Sequence, residues 1–141
     1  MNLTKTILIT AVFFILSVLA FGQSEKIKIG FLDETEYDNC GTSLSFSAEG
    51  KIVFFHGMDG AWMRINGKNV NFKFFKSTIK VGANEKKGDK FTNTYTAQGY
   101  KLSIKYTIKG FEEDVILYNA IMTLTKNKSS RTVNLVGWSG C

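Results

Sequence analysis

The chain has 141 residues, a formal net charge of +6, no proline and two cysteines. That length supports one domain with a buried core. The charge is mildly basic, yet the arginines are only Arg64 and Arg131, so no arginine cluster points to a nucleic-acid partner.

Residues 1–22 read as a signal peptide. Lys5 supplies the positive start, residues 7–20 are apolar apart from Thr10 and Ser17, and Ala20-Phe21-Gly22 offers a cleavage site before Gln23. The apolar run falls short of the about 20 residues that a membrane span needs, so no stable transmembrane anchor is expected. Cys40 follows Tyr37-Asp38-Asn39 rather than small apolar residues, which argues against lipid attachment. The expected location is periplasmic or secreted, with residues 23–141 as a single domain. Export places Cys40 and Cys141 in an oxidising compartment, where a disulfide between them is expected. Closing a loop of roughly 100 residues stabilises by about 4–5 kcal/mol in the chain-entropy model. Separate thiols and an intermolecular bridge are the alternatives.

Ile27, Ile29 and Phe31 alternate with Lys28 and Gly30, a short first strand. Asp33, Glu34, Glu36 and Asp38 crowd the next stretch. Such oxygens suit calcium, but the spacing matches no EF-hand loop, and a solvated loop is expected. Leu44, Phe46 and Ala48 alternate with serines, and Glu49-Gly50 turns the chain. Residues 51–56 are β-rich without alternation, so both faces of that strand are expected to be covered.

Residues 61–75 carry the strongest local signal. Ala61, Met63 and Ile65 alternate with Trp62, Arg64 and Asn66; after Asn66-Gly67, Val70, Phe72 and Phe74 alternate with Asn71, Lys73 and Phe75. Asn-Gly suits a type I′ hairpin turn, which needs φ > 0 at both central residues. Trp62 and Phe75 stand on the polar faces, so each is expected to be exposed or to mark a second packing layer.

Residues 82–89 read as an exposed loop. Phe91, Asn93, Tyr95 and Ala97 then oppose Lys90, Thr92, Thr94 and Thr96, and Gln98-Gly99 makes a tight connection. Tyr100, Leu102, Ile104, Tyr106 and Ile108 face away from Lys101, Ser103, Lys105, Thr107 and Lys109. A helix would scatter those five apolar residues, whereas a strand segregates them. An acidic loop with Glu112, Glu113 and Asp114 leads to strands over 115–125 and 132–136. The pattern predicts an all-β fold, an antiparallel small barrel or sandwich of about 8–10 strands.

Little here assembles into catalytic chemistry. His56 is the only histidine, three residues before Asp59, and no serine lies in a G-x-S-x-G elbow. One histidine and two distant cysteines fall short of a zinc site. Pairing a carboxylate of residues 33–38 with one of 112–114 would suit a glycosidase, but nothing in the sequence brings them together. No catalytic, cofactor or metal site is therefore expected. The candidate binding face is Lys73, Lys101, Lys105 and Lys109, a basic stripe if their strands are neighbours, with Trp62 as an exposed aromatic. Such a stripe attracts an anionic partner; its plainer role is the solvated side of a half-buried sheet. Trp62, Phe72, Phe74, Phe91, Tyr95, Tyr100 and Tyr106 either line a cavity for a small apolar ligand or fill the core, the commoner outcome.

At Ala61-Trp62-Met63-Arg64-Ile65-Asn66-Gly67-Lys68 the chain resembles a group of small exported bacterial proteins of unassigned function, marked by an A-W-M-x-I-[DN]-G-K segment between cysteine-containing ends. Cys40-Gly41 and Gly137-Trp138-Ser139-Gly140-Cys141 would be those ends. That resemblance implies export and architecture, and no activity. In size and cysteine placement the chain also resembles periplasmic inhibitors of C-type lysozyme, small antiparallel barrels with a disulfide between their ends. Their S-G-x-x-Y motif is absent here, so no inhibitory residue carries over.

The expected function is an exported, non-enzymatic β-domain, a binding or structural module at the cell envelope. Its partner would be an envelope protein, a glycan or a small apolar ligand. Inhibition of an envelope-directed hydrolase is the alternative, and a small hydrolase using His56 or the acidic loops is a distant third.

Overall fold

The computed structural model describes residues 26–33, 44–79 and 84–140. The expected signal peptide, Cys40, Cys141 and the acidic residues Glu34, Glu36 and Asp38 lie outside the described residues. The strands are β1 (Ile29–Gly30), β2 (Leu44–Ala48), β3 (Lys51–Gly57), β4 (Gly60–Ile65), β5 (Lys68–Ser77), β6 (Lys90–Ala97), β7 (Tyr100–Glu112), β8 (Val115–Lys126) and β9 (Ser129–Ser139). Every pairing is antiparallel.

β2 to β9 form an up-and-down meander, and β9 returns to pair with β2, from Leu44↔Ser139 to Ser47↔Val136. The result is a closed eight-stranded barrel, which removes the open edges a sandwich would leave. Gly137 makes the closure possible. It sits opposite Phe46, and a Cβ there would run into the Phe46 ring and lie 2.8 Å from the Ser45 carbonyl oxygen. β1 lies outside the cycle, alongside the end of β4, and Leu32 N–H donates to the Ile52 carbonyl.

A barrel of this size is just wide enough for its side chains to fill. Phe46, Phe54, Phe72, Tyr95, Leu102, Ile104, Met122 and Leu124 are all essentially inaccessible to solvent. The five apolar residues of β7 all point inward and are buried. The β3 run is covered on both faces: Val53 and Phe54 join the interior, while Ile52 and Phe55 pack outside with Leu32, Trp62 and Trp138. A register shift opposite Phe46/Ser47 breaks the alternation there. Trp62 thus belongs to a second packing layer, whereas Phe75, at a β5 bulge, is 65% exposed. The first strand is shorter than its alternation predicts. Pairing stops at Gly30, so Leu32 rather than Phe31 is buried.

Candidate functional site

Alternate connections of a meander lie at the same end of the barrel. At one end are the two-residue turns 49–50, 66–67, 98–99 and 127–128. Three of these have both central residues at positive φ, as in Asn66 (49°) and Gly67 (79°). At the other end lie the 57–60 turn, the long connection from β5 to β6, the 113–114 turn and the end of β9.

Charge divides between these ends. Glu112, the last residue of β7, is the one carboxylate within the nine strands. At the tight-turn end, Lys51 follows Glu49-Gly50, and Arg64 and Lys68 flank Asn66-Gly67. Lys28 is held beside that turn: its N–H donates to Asn66 Oδ1 at 2.9 Å, and its carbonyl accepts from Asn66 N–H at 2.8 Å. Lys26 precedes it, Lys101 follows Gln98-Gly99, and Lys126, Lys128 and Arg131 surround the last turn. Among the described residues this end therefore gathers nine cations around two carboxylates, Glu49 and Asp33, the latter following Leu32, whose N–H bonds to Ile52. The loop end carries Asp59, Glu85, Asp89, Glu112, Glu113 and Asp114, interleaved with Lys76, Lys86, Lys87, Lys90 and Lys109. It also exposes Met58, Phe74, Phe75 and Phe111.

The interior follows the same division. Ile65, Val70, Leu102 and Leu124 fill the tight-turn half. The loop half holds a hydrogen-bonded chain: Tyr106 O–H donates to Asn93 Oδ1 (3.4 Å), Asn93 Nδ2 donates to Tyr95 Oη (3.3 Å), and Tyr95 Oη meets His56 Nδ1 (3.1 Å). Burial lowers the His56 pKa below its ordinary value. A neutral imidazole lets Tyr95 donate to Nδ1, so each donor in the chain points toward His56. Burial also raises Tyr95, and burial followed by the neighbouring Tyr118 pushes Tyr106 up to about 12. Tyr118 is raised by burial as well and shares a 2.8 Å hydrogen bond with Ser139. His56 stacks on Phe74 and meets the Tyr95 ring edge-on. Among the described residues, no buried side-chain nitrogen or oxygen lacks a partner.

The lysines of the candidate binding face are dispersed over the outer wall. Lys73 and Lys101 both pair with Thr96, so they flank one position of β6. Lys105, also exposed, lies farther along β7 at an open depression of about 870 Å³ shared with Thr107, Asn119, Ile121, Asn134 and Val136. Lys109 falls at a β7 bulge, where strict alternation ends. Trp62 packs in the separate outer cluster. A smaller depression of about 530 Å³ takes in Asn71, Lys73, Thr96 and Gln98. Among the described residues, no group of three His, Cys, Asp or Glu side chains is placed to hold a metal ion, and Asp59 is exposed in the turn after His56. The pattern of cations beside alternate turns was open to counting in the sequence. The His56–Tyr95–Asn93–Tyr106 chain was not, because it joins three strands across the interior.

No protein-family model matches the chain, and no similar curated protein or solved structure was found.

Proposed function

We propose that this protein is an exported, non-enzymatic binding module of the cell envelope that engages an anionic partner through its tight-turn end. The observation behind this reading is the segregation of charge: nine cations surround two carboxylates, Glu49 and Asp33, at that end, and Lys73 continues the array onto the wall beside Lys101. Clustered charge of one sign raises the rate and selectivity of encounter with the opposite sign. The interior histidine and tyrosines satisfy one another within a packed core, which suits stability better than turnover. Export rests on the N-terminal residues 1–22.

Salt-dependent retention on an immobilised anionic polymer tests the reading. Retention should exceed that of a variant with Lys68, Lys101 and Lys128 changed to Glu, and should match that of one with Lys86, Lys87 and Lys90 changed to Glu after correction for net charge. Equal loss in both variants would reduce the effect to bulk charge.

A second reading draws on the opposite end. Met58 is 86% exposed there and Phe75 65%, among six carboxylates. Exposed apolar side chains among interleaved carboxylates and lysines suit a protein partner, such as the hydrolase implied by the resemblance to lysozyme inhibitors. A lysozyme assay with no loss of rate at excess protein would remove it.

A further inference from the structure

We infer that the anionic partner of the tight-turn end is the headgroup layer of a phospholipid membrane. The inference rests on the binding reading above and names its partner.

Shape is the first argument. Four two-residue turns close this end, so each projects little beyond the strands it joins. Short turns around a barrel rim make a blunt face, which meets a plane better than it grips a single polymer chain. Two depressions reach the rim from the wall, one at Gln98-Gly99 and Lys73, the other at Glu49.

Chain direction is the second argument. The polypeptide enters the barrel at this end, where Asn66 holds the Lys28 backbone through its side-chain Oδ1 and its own N–H. The apolar run over residues 7–20 lies only a few residues before Lys26. With the expected cleavage before Gln23, Lys26 and Lys28 are the first basic residues of the mature chain, at this same end.

Side-chain chemistry is the third argument. Lys51 Nζ sits 5.4 Å from the centre of the Phe31 ring, which is 39% exposed at the surface. Aromatic rings paired with long cationic stems suit the headgroup zone, where apolar bodies sink and charges stay hydrated. Anionic lipids attract each such cation over about a Debye length, roughly 8–10 Å. That range spans the rim cations and leaves out the loop end.

Vesicle co-sedimentation tests this with the purified protein and two probes: phosphatidylcholine vesicles, and the same vesicles containing phosphatidylglycerol. Affinity should rise at least about tenfold with the anionic lipid and fall again in high salt. Changing Lys28, Lys68 and Lys128 to Glu should remove most of that gain. Changing Lys86, Lys87 and Lys90 to Glu alters the net charge equally and should leave affinity within about threefold of the parent. All six side chains are exposed, and melting curves would confirm that each variant folds. Equal binding to both vesicle types, or equal loss in both variants, would overturn the inference. Tight binding to a soluble anionic polysaccharide with none to vesicles would overturn it while sparing the binding reading. Binding to neither would overturn both.

Discussion

The two ends of the barrel solve different problems with the same strands. At the tight-turn end, two-residue turns hold the strands in register over an apolar interior, and the cations that flank them stay in water. At the loop end the β5–β6 connection lengthens while the 58–59 and 113–114 turns stay at two residues, carboxylates collect, and the interior turns polar, with His56, Asn93, Tyr95 and Tyr106 bonded across three strands. The first end is stable because its backbone geometry is local and cheap to specify. The second depends on several side chains finding one another, since each buried polar group is destabilising until it is paired.

Both ends depend on the seam where β9 closes onto β2, so the largest effect is expected there. Gly137→Val would drive a side chain into Phe46 and the Ser45 carbonyl, with backbone on one side unable to yield. It should lower unfolding free energy by about 3 kcal/mol or more in urea titration, at or beyond the usual range for overpacking. A stability unchanged from the parent would mean the barrel does not close at this position.

Gly67→Val tests the tight-turn end alone. A Cβ at Gly67 meets nothing within 4 Å, so the penalty is purely conformational. With φ at 79°, a β-branched residue should lose about 1–3 kcal/mol by the same titration. A loss as large as that of Gly137→Val would point to a contact rather than backbone strain.

Tyr95→Phe tests the loop end. It keeps the ring packed against Phe54, at 5.0 Å, but strips Asn93 Nδ2 and His56 Nδ1 of their shared oxygen. The expected loss is about 1–2 kcal/mol, with the His56 imidazole resonances shifted in NMR spectra. No change in either would show that the polar chain contributes nothing net.

The smallest effects are in pH, and both belong to the loop end. The folded pKa of His56 is depressed, so the unfolded chain binds its proton first as pH falls. The stability contributed by neutral His56 is present above about pH 6.5 and drains away below it. Tyr106 is raised to about 12, so unfolded tyrosine ionises first. Its contribution is intact below about pH 10 and is lost as pH rises toward the folded value. Melting temperatures across pH would show both limbs, and Tyr95→Phe should alter the acid limb. A flat acid limb would place His56 in water.

Much of the wall was legible residue by residue. The alternation about Asn66-Gly67, the five inward residues of β7 and the doubly covered run of β3 each follow from side-chain period and turn chemistry, which are local properties. They determined that the domain is antiparallel β and where most of its hairpins lie. Closure was beyond that reach, because Leu44 and Ser139 meet across most of the domain and neither carries a mark of its partner. The lysine stripe shows the same limit from the other side. On one strand Lys101, Lys105 and Lys109 look like a unit, but a bulge displaces the last, and tertiary register ties Lys101 to Lys73 and to the turns around it. Local pattern sets the strands because it acts through neighbouring residues. Only the closed meander, by sending every second turn to the same end, decides which charges stand together and which polar groups must be satisfied inside.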